Sequence, residues 1–377
     1  MSNYYIKQAD IVSDGMIKKG GDIWITDGLI TENLEGVDYE TIEAEGLYAL
    51  PGFIDTHIHG FGGNGTEDGS VNSILSMSEA LARTGVTSFF PTIYTDVQER
   101  ILRDIEACVE AKGKECGADI AGIHIEGPFI SPDRIGAQNP AGRLSPDKEN
   151  LFKMLDAGKG LVKAMTMAPE LDGIEDIAAL AIENGVTPLL GHTNANCEEA
   201  IKGLSYGIKH ATHLFNAMTG LHHRNPGVVG AVLSEDGFSA EIIADGKHVA
   251  PAAAKAVIKA KGKEKIAIIT DSLRPTLQSS GTRTANGVEV ELGDGLWVTK
   301  GRPELIQGST LTMLQALKNL LSWGIALEDA SYMLSTSPAD IYKLGDRGRI
   351  KEGLRADIVL MDKNFNIKKV FIKGECR

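Results

Sequence analysis

Six side chains able to do metal and acid–base chemistry each follow directly on an apolar run. The first run ends in Asp55-Thr56-His57-Ile58-His59 and the third in His124-Ile125-Glu126-Gly127-Pro128-Phe129. The fifth ends in Leu190-Gly191-His192-Thr193, the sixth in His210-Ala211-Thr212-His213-Leu214-Phe215-Asn216, and the eighth in Ile269-Thr270-Asp271-Ser272. In a strand, residues two apart point the same way, so His57 and His59 can offer two imidazoles to one ion. Alone, an HxH pair is a weak signal, a lone glutamate at a strand end is commonly a cap, and Asp271 could likewise be a cap. Together, four imidazoles and two carboxylates make an N/O donor set suited to Zn²⁺, Fe²⁺ or Mn²⁺. One carboxylate bridging two ions would hold them about 3.5–4 Å apart.

Bringing these residues to one place requires a fold that gathers strand ends. Eight candidate buried strands lie near 53–57, 88–92, 120–125, 161–167, 187–190, 208–212, 240–244 and 266–270. Helical patterns fall between most of them, such as 96–111, 174–184 and 251–260, and two more (309–323 and 327–334) follow the last strand. This alternation predicts a (β/α)8 barrel, whose strand ends surround one mouth where catalytic residues sit; an open doubly wound sheet is the alternative. A hairpin insertion is expected at 284–300. Residues 4–48 and the tail from Arg355 read instead as short alternating runs with turns, which predicts antiparallel hairpins.

Composition sets outer limits. The chain has 377 residues, 42% hydrophobic, with 38 Lys plus Arg against 51 Asp plus Glu, a formal charge of −13. That acidity argues against nucleic acid or an anionic membrane as partner, though not against a small anion held in a local pocket. The four cysteines form no CxxC pair, which suits a reducing compartment rather than a disulfide framework. The N-terminal residues lack the pattern of a signal peptide, and no apolar run reaches the ~18 residues that cross a bilayer. A cytoplasmic protein is the expectation.

Longer motifs narrow the reading. Pro51-Gly-Phe-Ile-Asp-Thr-His-Ile-His-Gly60, His124-Ile-Glu-Gly-Pro-Phe129, Gly191-His-Thr193, His213-Leu-Phe-Asn-Ala-Met218, Ile243-Ala-Asp-Gly-Lys-His-Val249, Thr270-Asp271 and Gly308-Ser-Thr-Leu-Thr-Met313 are similar to the N-acetylglucosamine-6-phosphate deacetylase family of the amidohydrolase superfamily. The match runs nearly end to end. The resemblance implies a barrel over 51–345 and a small β-sandwich built from 1–50 and 346–377. It makes Glu126 the metal bridge, with His192 and His213 completing one site and His57 with His59 favouring a second, so one or two divalent ions, zinc or iron, with manganese possible. Asp271 would take a proton from the attacking water and pass it to the leaving amine of a phosphorylated N-acetyl amino sugar. Asn216 and Ala217 would contact phosphate or sugar, Arg224 the phosphate and His248 a hydroxyl, while Ile306-Gln307-Gly308 would touch the substrate with their backbone. For Arg224 the residues alone read as a solvated loop charge, as they do for His222 and His223. A homodimer is implied, in which a neighbour's side chain can approach the phosphate.

Two departures bear on the substrate. The loop Gly136-Ala137-Gln138-Asn139-Pro140 carries Gln138 where the family usually has histidine, and a glutamine adds no positive charge. The stretch Ser272–Ser280 replaces the usual small residues and includes Arg274, which could restore that charge or select another sugar. The galactosamine isomer is therefore an alternative substrate. A dihydroorotase- or dipeptidase-like amidohydrolase and a non-catalytic sugar-phosphate-binding barrel are more distant readings.

Overall fold

The continuous apolar runs become strands because side chains buried on both faces of a parallel sheet all need to be apolar. The computed structural model describes residues 2–33, 36–278 and 281–377. Eight parallel strands form its centre: β1 (Phe53–Ile58), β2 (Val86–Ile93), β3 (Ile123–Glu126), β4 (Val162–Met167), β5 (Thr187–Leu190), β6 (His210–Ala211), β7 (Ser239–Ile243) and β8 (Ile266–Ile269). Each pairs with the next in chain order. A doubly wound sheet would reverse its strand order part-way; this one does not. The seam between β8 and β1 is closed by the Asp271 N–H, which donates to the His57 carbonyl at 2.9 Å. The buried Asp55 carboxylate adds to it, accepting from the Thr270 N–H at 3.2 Å and the Thr270 hydroxyl at 2.6 Å. The barrel reading holds.

Several bounds differ from expectation. The third run breaks at Ala121–Gly122: Asp119–Ile120 pairs with β2, and the chain then shifts to β4, Ile123 N–H donating to Leu161 O at 2.8 Å. The sixth strand keeps only two residues. The helix expected from Ser309 begins at Met313, capped by Thr312, because the Ser309 hydroxyl is held by the Thr270 carbonyl at 2.5 Å. The insertion is larger than a hairpin. It is a four-stranded antiparallel sheet (Arg283–Ala285, Val288–Gly293, Leu296–Thr299, Arg302–Gly308), with tight turns at Asn286-Gly287 and Asp294-Gly295, all four at positive φ. Its last strand contains Pro303 and is mostly exposed, so it lacks the alternation that marks a strand.

Both chain ends join one eight-stranded sheet, as Ile358–Met361 lies antiparallel to Tyr48–Pro51. A bulge around Gln8, at φ 60°, bends the N-terminal strand Tyr4–Ser13 over a core of its own that includes Ile6, Ile25, Ile358 and Phe371. Asp119, at the foot of the barrel, ties the C-terminal segment down. Its buried carboxylate accepts from Arg347 at 2.6 Å, Arg355 at 2.9 Å and Lys373 at 2.7 Å. Burial raises this carboxyl, but Arg355 and Arg347 outweigh it and hold it well below the usual carboxylate range. No helix among the described residues is long and apolar enough to cross a membrane.

Candidate active site

The six expected residues meet at the carboxyl ends of β1, β3, β5, β6 and β8. Glu126 lies at their centre. Its Oε1 is 2.9 Å from His213 Nε2, 3.0 Å from His192 Nε2 and 3.5 Å from His57 Nε2; its Oε2 is 3.1 Å from His59 Nε2. Asp271 Oδ1 lies 3.5 Å from His59 Nε2 and 3.7 Å from His57 Nε2. Two groups result, His57/His59/Asp271 and Glu126/His192/His213, each with its ligand atoms within 4.8 Å of one another.

The backbone is distorted to achieve this. His192, His213 and Asp271 have φ of 46°, 28° and 49°, left-handed values that cost a non-glycine residue roughly 1–3 kcal/mol and gather at functional sites. In Glu126-Gly127-Pro128 the glycine is required because a Cβ would overlap Thr95 Oγ1, which donates to the Glu126 carbonyl at 2.6 Å. Outer nitrogens are anchored so that the inner ones face the centre. His59 Nδ1 donates to Thr92 O at 3.1 Å and His192 Nδ1 to Arg134 O at 2.9 Å. His57 Nδ1 donates to Glu241 at 3.0 Å, and the His59 ring stacks on Tyr94 at 3.7 Å between centroids.

This donor set fits a divalent cation. His57 Nε2 is buried with no hydrogen-bond partner and points at Glu126 and Asp271. Burial alone would favour a neutral His57, yet Glu126 and Glu241 overturn that and draw positive charge to this point. Burial likewise raises the Glu126 carboxyl, while the facing His57 and the hydrogen bonds from His192 and His213 hold it well below its ordinary value. A site that favours positive charge among imidazole nitrogens and carboxylates is one that a dication satisfies.

A cavity of about 240 Å³ opens above the cluster. Ala137, Gln138, Asn216, Ala217, His248, Ile306, Gln307 and Gly308 all line it, together with Tyr94 and Glu304. Gly308 packs so closely that a Cβ there would lie 2.9 Å from the Asp271 carbonyl, which joins the insertion to the loop that carries Asp271. His248 Nδ1 donates to Asp245 at 2.6 Å. Gln138 is directed at the ligand cluster: its Nε2 donates to Glu126 Oε2 at 2.6 Å and its Oε1 accepts from Thr95 N–H at 2.7 Å.

Arg224 is not brought to the cavity; it is exposed on the loop Leu221–Asn225. Arg274 turns away as well, donating to Gly63 O at 3.2 Å and pairing with Asp68 at 3.5 Å. Ser279 and Ser280, the end of that departing stretch, lie outside the described residues. Among the described residues the cavity wall holds imidazoles and no lysine or arginine. Sequence reasoning missed Tyr94 and Glu241; the available signal for Glu241 was a charge inside the buried run Ser239-Ala-Glu-Ile-Ile.

A profile described as "Amidohydrolase family" matches residues 48–377. The chain belongs to the amidohydrolase family. Within this family it is 34% identical to the N-acetylglucosamine-6-phosphate deacetylase of Bacillus subtilis (strain 168), over 98% of this chain and 96% of that one. It is 30% identical to an N-acetylgalactosamine-6-phosphate deacetylase of Escherichia coli O157:H7, covering 93% of both. Among amidohydrolase structures, the D267A mutant of the Mycobacterium smegmatis N-acetyl-D-glucosamine-6-phosphate deacetylase, in complex with N-acetyl-D-glucosamine-6-phosphate, superposes with a TM-score of 0.90. That match has 28% identity and covers 100% of this chain and 99% of that one. The resemblance drawn from the motifs thus extends over the whole fold of this amidohydrolase.

Proposed function

We propose that the protein hydrolyses the acetamide of N-acetylglucosamine-6-phosphate to glucosamine-6-phosphate and acetate. The carrying observation is the convergence of four imidazoles on Glu126, beneath a cavity that Asp271 also lines. One or two divalent ions, zinc, iron or manganese, would be held by His57, His59, Asp271, Glu126, His192 and His213. When bound, such ions activate water and polarise a carbonyl. Asp271, facing the cavity, accepts the proton of the attacking water and delivers it to the amine nitrogen, which leaves poorly unless protonated. Asn216, Ala217, His248 and the 306–308 segment orient the sugar, together with Ala137 and Gln138. Arg224, exposed beside Leu221, would meet the phosphate across the interface of a homodimer. We take 51–345 as the catalytic unit and 1–50 with 346–377 as the second. The four free thiols suit a reducing cytoplasm.

A second reading, N-acetylgalactosamine-6-phosphate as substrate, is favoured by Gln138 at the cavity wall and by relatives named N-acetylgalactosamine-6-phosphate deacetylase. Acetate release from a panel of phosphorylated and unphosphorylated N-acetylhexosamines, with metal content known, decides between them. No release from any phosphorylated member would overturn both.

A further inference from the structure

Glu241 is the only ionisable residue within β7, and it is fully buried. Its Oε2 accepts two hydrogen bonds, from His57 Nδ1 at 3.0 Å and from the His213 main-chain N–H at 3.1 Å. Its Oε1 accepts the Tyr342 hydroxyl at 3.3 Å, which a π-helical turn at Tyr332–Thr336 and the short helix after it bring to the barrel. His57 and His213 belong to the two different ligand groups around Glu126. We propose that Glu241 is a positioning residue that sets the metal affinity of both halves of the centre through one oxygen atom.

The argument has two parts. A neutral imidazole can carry its proton on either nitrogen. An acceptor-only carboxylate at Nδ1 fixes the proton there, turns the Nε2 lone pair toward the ion and makes it more basic. At His213 the same oxygen holds a main chain at φ 28°, at the edge of the left-handed region, which no ordinary strand end adopts. A buried carboxylate is otherwise a poor device for stability, since an apolar residue of similar volume commonly serves as well or better. A role confined to packing would therefore leave metal binding unmoved.

The proposal rests on the reading that this cluster holds divalent ions, and zinc titration of the metal-free protein against a fluorescent chelator separates the two. Glu241→Gln can keep the hydrogen bonds while removing the charge; Glu241→Val removes both. Wild-type protein should take up zinc, Glu241→Gln should bind it about 10-fold more weakly, and Glu241→Val up to about 100-fold more weakly. The Tm of metal-free Glu241→Gln should not fall. Unchanged zinc affinity in Glu241→Gln, or a lower metal-free Tm with unchanged affinity, would overturn the positioning role. Should Glu241→Val fail to fold, Glu241→Gln decides alone. A wild-type protein that takes up no zinc, iron or manganese overturns the metal-centre reading and this proposal with it.

Discussion

His192 Nε2 and His213 Nε2 lie 3.2 Å apart, both directed at the same oxygen of Glu126. These two imidazole nitrogens, 21 residues apart in the chain and each on a left-handed backbone, are within hydrogen-bond distance of each other and share one focus. Glu126 reaches that focus with one oxygen and His59 with the other. Glu126→Gln should therefore lose bound metal. Elemental analysis of the purified variant should find at most a trace, against stoichiometric metal in the wild type.

Asp271 is placed differently from the other ligands, with its carboxylate both near His57 and His59 and open to the cavity. Asp271→Asn keeps the shape and removes the base. It should retain metal while kcat falls by at least ~10², the usual weight of general acid–base catalysis. Normal turnover by metal-replete Asp271→Asn would refute its role.

Arg224 sits on an exposed loop, away from the residues that line the cavity. If a second subunit presents it to the phosphate, Arg224→Ala should raise KM for the phosphorylated sugar by about 10–100-fold, as expected for loss of a charged hydrogen bond. Any turnover of the unphosphorylated sugar should be unaffected. Sedimentation at the assay concentration should show a dimer for both proteins.

Asp119 makes stability depend on pH. Its folded-state carboxyl lies below its unfolded value of about 3.9, so its contribution is fully present above that pH. The contribution is lost as pH falls below about 4 toward the folded value. Asp119→Ala removes one carboxylate from Arg347 and Arg355, which keep Asp346 and Asp357 as partners, and should cost about 1–3 kcal/mol in urea unfolding at pH 7. The difference from wild type should shrink in acid.

The ligands themselves could be read without coordinates. His57, His59, Glu126, His192, His213 and Asp271 each follow a run whose pattern marks a buried parallel strand, and in a barrel all such ends open on one rim. Local sequence is enough for that, because strand direction and the period of two are local properties. The position of each polar side chain relative to distant ones is not local. His57 and Glu241 are 184 residues apart, and Gln138 meets Glu126 only because its loop folds back over β3. By sequence Arg274 could restore the charge that Gln138 lacks, but the fold turns it to Asp68 instead. The strand Arg302–Gly308 depends on pairing with Leu296–Thr299 rather than on its own pattern. Which residues can do chemistry was thus written in the sequence. Which of them touch, and which second carboxylate stands behind the first, was decided by packing between segments far apart in the chain.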